Sequence, residues 1–285
     1  MTASLMEVWD CFAAERAPSL CPTSRGTDWN QARVWLNRCP IQDLDRAREV
    51  LVWILSQEPP QAALRVAMFY RGMCRWASSP DIGILDRNPV QSFKMPKAPQ
   101  KADHEVVVIP TTEVPTVING MKPSRKGCTP WHLWTEFQYQ TGMRTGEVRA
   151  LKWDDLRGDN AFVHANWPLS PSYYKPSTKT NRTRMVPLNG RVHAVLDQLP
   201  RDNEFIFPWQ RETFQSVFRQ RMGKLYDAGR IKKIYRPYDL RHSAISEWLA
   251  RGIPLALAAR WAGNTRDVLV RNYCGVVDEL PIPEL

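Results

Sequence analysis

Thr141-Gly142-Met143-Arg144-Thr145-Gly146-Glu147 separates two runs of helical spacing. Before it, Trp131 to Gln140 reads as a helix; after it, Val148, Ala150 and Leu151 fall where a second helix would bury them. Glu147 follows Arg144 by three positions, so a carboxylate and a guanidinium share one helical turn at the junction. A helix, a tight glycine turn and a second helix with a charged pair between them is the frame from which the rest of the chain is read.

Toward the C-terminus, Ala161-Phe162-Val163-His164-Ala165 and Arg184-Met185-Val186-Pro187-Leu188 read as strands, with a long proline- and serine-containing excursion between them. Lys179-Thr180-Asn181-Arg182-Thr183 leads into the second strand. Phe214, Val217, Phe218, Met222 and Leu225 return to helical period, and short helices carry Tyr238-Asp239-Leu240-Arg241-His242 and Gly263-Asn264 through Tyr273. Toward the N-terminus, Leu5, Val8, Trp9, Phe12 and Ala13 form one helical stripe and Leu44, Ala47, Val50, Leu51 and Ile54 another. A third helix, Leu64 to Trp76, follows Pro59-Pro60 and places Ala67, Met68 and Cys74 on one stripe; a shorter one is expected from Trp29 to Leu36. The stretch from Asn88 to Glu105 is polar and proline-bearing and reads as an interdomain connection. The expected fold is therefore mostly α with a small β-sheet: an N-terminal helical domain at 1–93, a linker at 94–105, and an α+β domain at 106–285.

A chain of 285 residues, 43% hydrophobic and 24% charged, is long enough for two cores. No stretch approaches the roughly 20 apolar residues of a membrane span, and Met1 to Leu5 begins no basic and then apolar leader, so a cytoplasmic protein is expected. The six cysteines have no Cys-x-x-Cys spacing and read as reduced thiols. The net charge of +10 is unevenly spread: residues 1–105 carry 13 basic against 12 acidic side chains, and 106–285 carry 26 against 17. That asymmetry directs the C-terminal part toward a polyanion.

The four pieces Thr141–Glu147, Lys179–Leu188, Tyr238–His242 and Gly263–Tyr273, in this order, resemble the catalytic set of the tyrosine recombinases, the phage-integrase family that cuts and rejoins DNA through a phosphotyrosine. The resemblance covers about residues 106 to 278. It implies that the first domain is a core-binding DNA domain and the second catalytic. Breaking a phosphodiester without a metal needs a nucleophile, cations around the phosphate oxygens, and an acid for the leaving 5′-oxygen. By resemblance Tyr273 is the nucleophile, nine residues after Asn264. Arg144 and Arg241 are the phosphate-binding pair, suited by their planar forks to non-bridging oxygens. Glu147 supports Arg144, and Lys179 is the acid, with Lys175 as the fallback.

Two positions depart from the family pattern. Tyr238 stands where His-x-x-Arg has its histidine, and Asn264 stands where Gly-His, or a tryptophan, is usual. Either side chain can donate a hydrogen bond to a phosphate oxygen, but neither is a good base at neutral pH. His242 is expected to be a packed or surface neighbour of Arg241. The resemblance further implies double-stranded DNA as partner, a homo-tetramer assembled on DNA with nucleoid association, room for an accessory directionality factor, and no cofactor, metal or membrane. Two rivals share the fold: a catalytically silent DNA-binding protein and a type IB-like enzyme that nicks and reseals one strand.

Overall fold

A computed structural model describes residues 4–20, 22–96, 106–125, 127–168, 172–178 and 182–277. The chain is mostly helical with one small sheet, the fold class expected from its periodicities, and divides into two compact units, Met1–Asp103 and His104–Leu285.

The first unit is helical. It contains α1 (Leu5–Arg16), α2 (Pro22–Ser24) running through a π-helical turn (Arg25–Trp29) into α3 (Asn30–Arg38), then α4 (Ala47–Leu55) and α5 (Pro60–Ala77). Leu5, Val8, Trp9 and Phe12 bury one face of α1, and Trp29 packs against it, its ring centroid 5.2 Å from both Trp9 and Phe12. On α5 the buried stripe is Val66, Ala67, Tyr70, Met73 and Cys74, and the Tyr70 hydroxyl donates to the Ala47 carbonyl at 3.0 Å. Met68, placed on that stripe by sequence spacing, is 69% exposed, because one step from Ala67 turns it about 100° off the buried face.

The proline-bearing stretch also differs from its reading at its beginning. Val90 is fully buried in the first unit's core, Phe93 and Met95 pack on it, and Arg48 donates to the Pro89 carbonyl and the Ser92 hydroxyl. Isolated apolar side chains among prolines leave no period to detect, yet they still gain by leaving water.

The second unit holds α6 (Val114–Gly120), α7 (Trp131–Thr141), α8 (Thr145–Ala150), the strands β1 (Leu156–Arg157), β2 (Asn160–Val163) and β3 (Arg184–Pro187), then α9 (Gly190–Leu196), α10 (Arg211–Asp227), α11 (Pro237–Ala250), α12 (Leu255–Ala262) and α13 (Arg266–Val277). The sheet is antiparallel in the order β1-β2-β3, with Ala161 opposite Val186 and Val163 opposite Arg184. Strand side chains alternate, so these four residues share one face, and all four are buried. Arg184 is thereby carried inward with the core residues.

The main core of this unit joins Trp134 and Phe137 of α7, Val148, Val163, Val186, Phe207, Phe214 and Phe218 of α10, and Leu240 of α11. Each such side chain contributes about 1.5–3 kcal/mol on burial, so α7 and α11 are firmly seated. A smaller cluster, Ile245, Leu249, Ala258, Ala259, Ala262, Leu269 and Tyr273, holds α11, α12 and α13 together. Among the described residues, no helix is long and apolar enough to cross a membrane.

Candidate active site

The junction of α7 and α8 is built by its glycines. Gly142 ends α7 in the left-handed region (φ 58°), and a Cβ there would come within 2.7 Å of the Trp248 ring. Gly146 is required by a close approach: a Cβ would fall 2.2 Å from Asn166 Oδ1, because the chain leaving β2 lies on α8 and the Trp167 N–H donates to the Gly146 carbonyl at 2.8 Å. Arg144 is the N-cap of α8 and Glu147 its third residue. The Glu147 carboxylate accepts from the Arg144 backbone N–H (2.9 Å) and from Arg144 Nη1 (2.9 Å), placing negative charge at a helix start, where the dipole favours it.

Glu147 has a second partner. Arg184 reaches in from β3, donating through Nη2 (2.6 Å) and Nη1 (3.1 Å) to the two carboxylate oxygens. The arginines then converge on the end of α12, whose last carbonyls have no partner within the helix. Arg184 Nε donates to the Trp261 carbonyl at 2.7 Å, Arg241 Nη2 to Ala262 at 2.7 Å, and Arg144 Nη2 to Gly263 at 3.1 Å. Arg144 Nη2 also donates to Asn264 Oδ1 at 2.9 Å, and Arg241 Nη1 to the Gly142 carbonyl at 2.6 Å. Gly263 itself is left-handed (φ 65°), and a Cβ there would lie 3.0 Å from the Arg184 guanidinium.

Charge in this cluster does not balance. Burial acts to raise the Glu147 pKa, but Arg184, Arg144 and Arg241 together outweigh it and bring the group down to about 2, so it is fully ionised at neutral pH. Burial, reinforced by repulsion from Arg144 and Arg184, lowers Arg241 to about 10, and it remains a cation. Three guanidiniums thus face one carboxylate, with Arg241 and Glu147 each 1% exposed. The Arg144 side chain, at 16%, is the one open to solvent.

Tyr273 lies on α13 and is 3% exposed, in the smaller cluster. Its hydroxyl is 2.6 Å from Nδ1 of His242 on α11. Burial pushes the phenol above its ordinary pKa, partly offset by Arg241. Burial and the Arg241 and Arg236 guanidiniums bring His242 down to about 4, so the ring is neutral at pH 7. Tyr238 is 45% exposed with its ring edge-on to His242, centroids 4.9 Å apart.

The structure therefore brings Arg144, Glu147, Arg241 and Asn264 into one cluster, and sets both Tyr273 and Tyr238 against His242. Lys179 lies outside the described residues. Flanking it, the Thr178 hydroxyl donates to the Arg182 carbonyl (2.8 Å) and accepts from the Arg182 N–H (3.0 Å). Lys175, the fallback, pairs through its backbone with Asn166.

Two residues escaped sequence reasoning. Arg184 had a signal, its even spacing from Val186 on a strand with a buried face. His242 had none: it was expected to be merely packed or exposed, and only the packing of α13 on α11 brings it to Tyr273.

The sequence model of the phage integrase family matches residues 108–279. The chain is 23% identical to a tyrosine recombinase of Pseudothermotoga lettingae over 201 residues, 69% of this chain and 64% of that protein. It is 29% identical to a shufflon-specific DNA recombinase of Escherichia coli over 114 residues, 40% of this chain and 26% of that one. It thus spans between about a quarter and two thirds of the length of these curated relatives. Its fold resembles that of the Tn1549 transposon integrase solved in complex with transposon right end DNA, with a TM-score of 0.73 at 12% identity over 95% of both chains. A glycine-bracketed arginine, a second arginine on the helix packed against it and a tyrosine on the last described helix lie inside the matched segment, which exceeds half the sequence, and the chain belongs to the phage integrase family, the tyrosine recombinases.

Proposed function

We propose that this chain is a site-specific DNA recombinase of the integrase type that cuts and rejoins strands through a 3′-phosphotyrosyl bond on Tyr273. The observation that carries the reading is the excess of buried positive charge at the end of α12, where, among the described residues, Arg144, Arg184 and Arg241 face the single carboxylate of Glu147. An uncompensated buried cation is costly, and a phosphate diester is an anion of the right size and geometry to balance it. Arg144 meets the phosphate oxygens from the solvent side, and Arg241 supplies charge from behind. Arg184 acts through Glu147, holding the Arg144 head in place. The Asn264 Oδ1 accepts from Arg144, and its NH₂, which makes no hydrogen bond to another described residue, is the donor to the same phosphate. Tyr238, exposed on the same helix as Arg241, is the second neutral donor.

In the reaction the phenolic O–H of Tyr273 breaks and its proton passes to a neighbouring base, the tyrosyl O–P bond forms, the bond to the 5′-oxygen breaks, and the leaving oxygen takes a proton from Lys179. A free 5′-hydroxyl from a partner strand reverses these steps, so bond energy is conserved and neither ATP nor metal takes part. The N-terminal helical unit is a second DNA-binding surface. Assembly is a homo-tetramer on two sites, with a directionality factor as an outside partner.

The test begins with a pool of nicked duplexes of random sequence, from which covalent capture by the wild-type chain selects a suicide substrate. Wild type is expected to give a denaturant-resistant adduct, and Tyr273→Phe to give none while binding the same duplex with similar affinity. Failure of wild type to capture any duplex overturns the reading; an adduct persisting in Tyr273→Phe assigns the nucleophile elsewhere.

A further inference from the structure

We propose that His242 is the proton acceptor for Tyr273, filling from one turn further along α11 the role left open by Tyr238. This rests on the recombinase reading above, and it names a residue which that reading does not need.

The geometry carries it. His242 Nδ1 and the Tyr273 hydroxyl are 2.6 Å apart, within the reach required of a base and the proton it removes. Both sit on helices fixed by the same small cluster, α11 through Ile245 and Leu249 and α13 through Leu269. The pair is shielded, with Tyr273 3% exposed and the Tyr238 ring packed edge-on against the imidazole, so water competes poorly for the phenolic proton. Burial, with Arg241 on α11 and Arg236 at its N-cap as the charged groups acting on His242, keeps the ring neutral with a lone pair to offer.

That same cationic field makes His242 a weak base while DNA is absent. A phosphate seated on Arg144 in front of Arg241 cancels part of the field, so the ring becomes a better acceptor as the substrate arrives. The step is balanced: the phenolic O–H breaks, its proton passes to Nδ1 to give an imidazolium, the tyrosyl O–P bond forms and the P–O5′ bond breaks. On rejoining, the imidazolium returns the proton to the departing tyrosine.

The experiment uses the full chain and the suicide duplex selected with wild type, in two forms: an ordinary phosphodiester, and one whose bridging 5′-oxygen at the cut is sulfur. A thiolate leaves without a proton, so the sulfur substrate relieves defects in the leaving-group acid and none in the base. His242→Ala and His242→Asn are compared in single-turnover adduct formation; Asn keeps a hydrogen-bonding group near the Nδ1 position but cannot take a proton. Both variants are expected to cleave about 10²–10⁴-fold more slowly than wild type on both substrates, with unchanged DNA affinity. The affinity and the far-UV spectrum report folding independently of chemistry. Rates within threefold of wild type in His242→Ala overturn the proposal. So does recovery in His242→Asn, which would reduce His242 to a positioning residue, and so does rescue by the sulfur substrate, which would move it to the leaving-group side. If wild type itself forms no adduct, it is the recombinase reading that fails.

Discussion

The arginine cluster and the tyrosine helix lie in one unit but are held in different ways. Arg144, Arg184 and Arg241 sit among α7, α8, α11, β3 and the end of α12, next to a core of large aromatic side chains, and every guanidinium is tied to at least one main-chain carbonyl. Tyr273 sits on α13, held by a smaller cluster of three alanines with Ile245, Leu249 and Leu269, and by one polar contact to His242. The phosphate site is built rigid and the nucleophile is held lightly.

The sharpest break in this comparison comes from paired core truncations. Phe137→Ala, in the large core, is expected to lower global stability by about 3–5 kcal/mol. Leu269→Ala should leave the global transition nearly unchanged and instead abolish hydrogen-exchange protection along α13. Urea titration with site-resolved exchange checks both, and equal global losses from the two variants would erase the distinction between rigid and light attachment.

Glu147→Gln removes the carboxylate beneath three guanidiniums, and the expected loss is of the order of 3–5 kcal/mol, because buried charges are left unpaired. The sign with pH follows. Glu147 is held down at about 2 against about 4.3 in an unfolded chain, so its stabilisation is complete above the unfolded value and is lost as pH falls toward 2. Thermal melting of wild type from pH 7 to 2 should show that acid limb, with a smaller one in Glu147→Gln. Parallel curves for the two proteins would mean that Glu147 is not the group responsible.

Smaller effects are expected at the solvent edge of the phosphate site. Asn264→Ala loses a neutral donor and should slow single-turnover cleavage by roughly 10²-fold, with little change in DNA affinity. Tyr238→Phe, which keeps the ring against His242 and removes only the hydroxyl, should slow it by no more than that. Unchanged cleavage in both would leave these residues as packing. Binding by the full chain should also weaken with salt, each neutralised phosphate adding about −0.9 to the slope of log affinity against log salt. A slope near zero would contradict the polyanion argument drawn from the charge of residues 106–285.

What was legible in the sequence depended on range. Helices such as α1 and α7 are local patterns of apolar spacing, and the glycine at 142 announces a turn, whereas the close approach at Gly146 depends on Asn166 and Trp167, distant in sequence. Glu147 beside Arg144, a pairing one turn apart, is local too. The sheet was readable to within a residue or two at its ends for β2 and β3, whereas β1, only Leu156–Arg157, is too short to show a period. Contacts made across the fold were not readable: Arg184 meeting Glu147, His242 meeting Tyr273, and the three arginines gathering on residues 261–264. The departures at Tyr238 and Asn264 were visible only against the family pattern, and the histidine able to compensate for one of them carried no local mark.

Anchoring cationic side chains on main-chain carbonyls has an evolutionary consequence. A side-chain partner is lost by a single codon change, but the carbonyls of Gly142, Trp261, Ala262 and Gly263 persist through any substitution that leaves the chain path intact. The sequence around the site can therefore drift widely while the guanidiniums stay in register. Tolerance ends at Gly142 and Gly263, whose left-handed backbone sets that path and whose missing side chains leave room for Trp248 and Arg184.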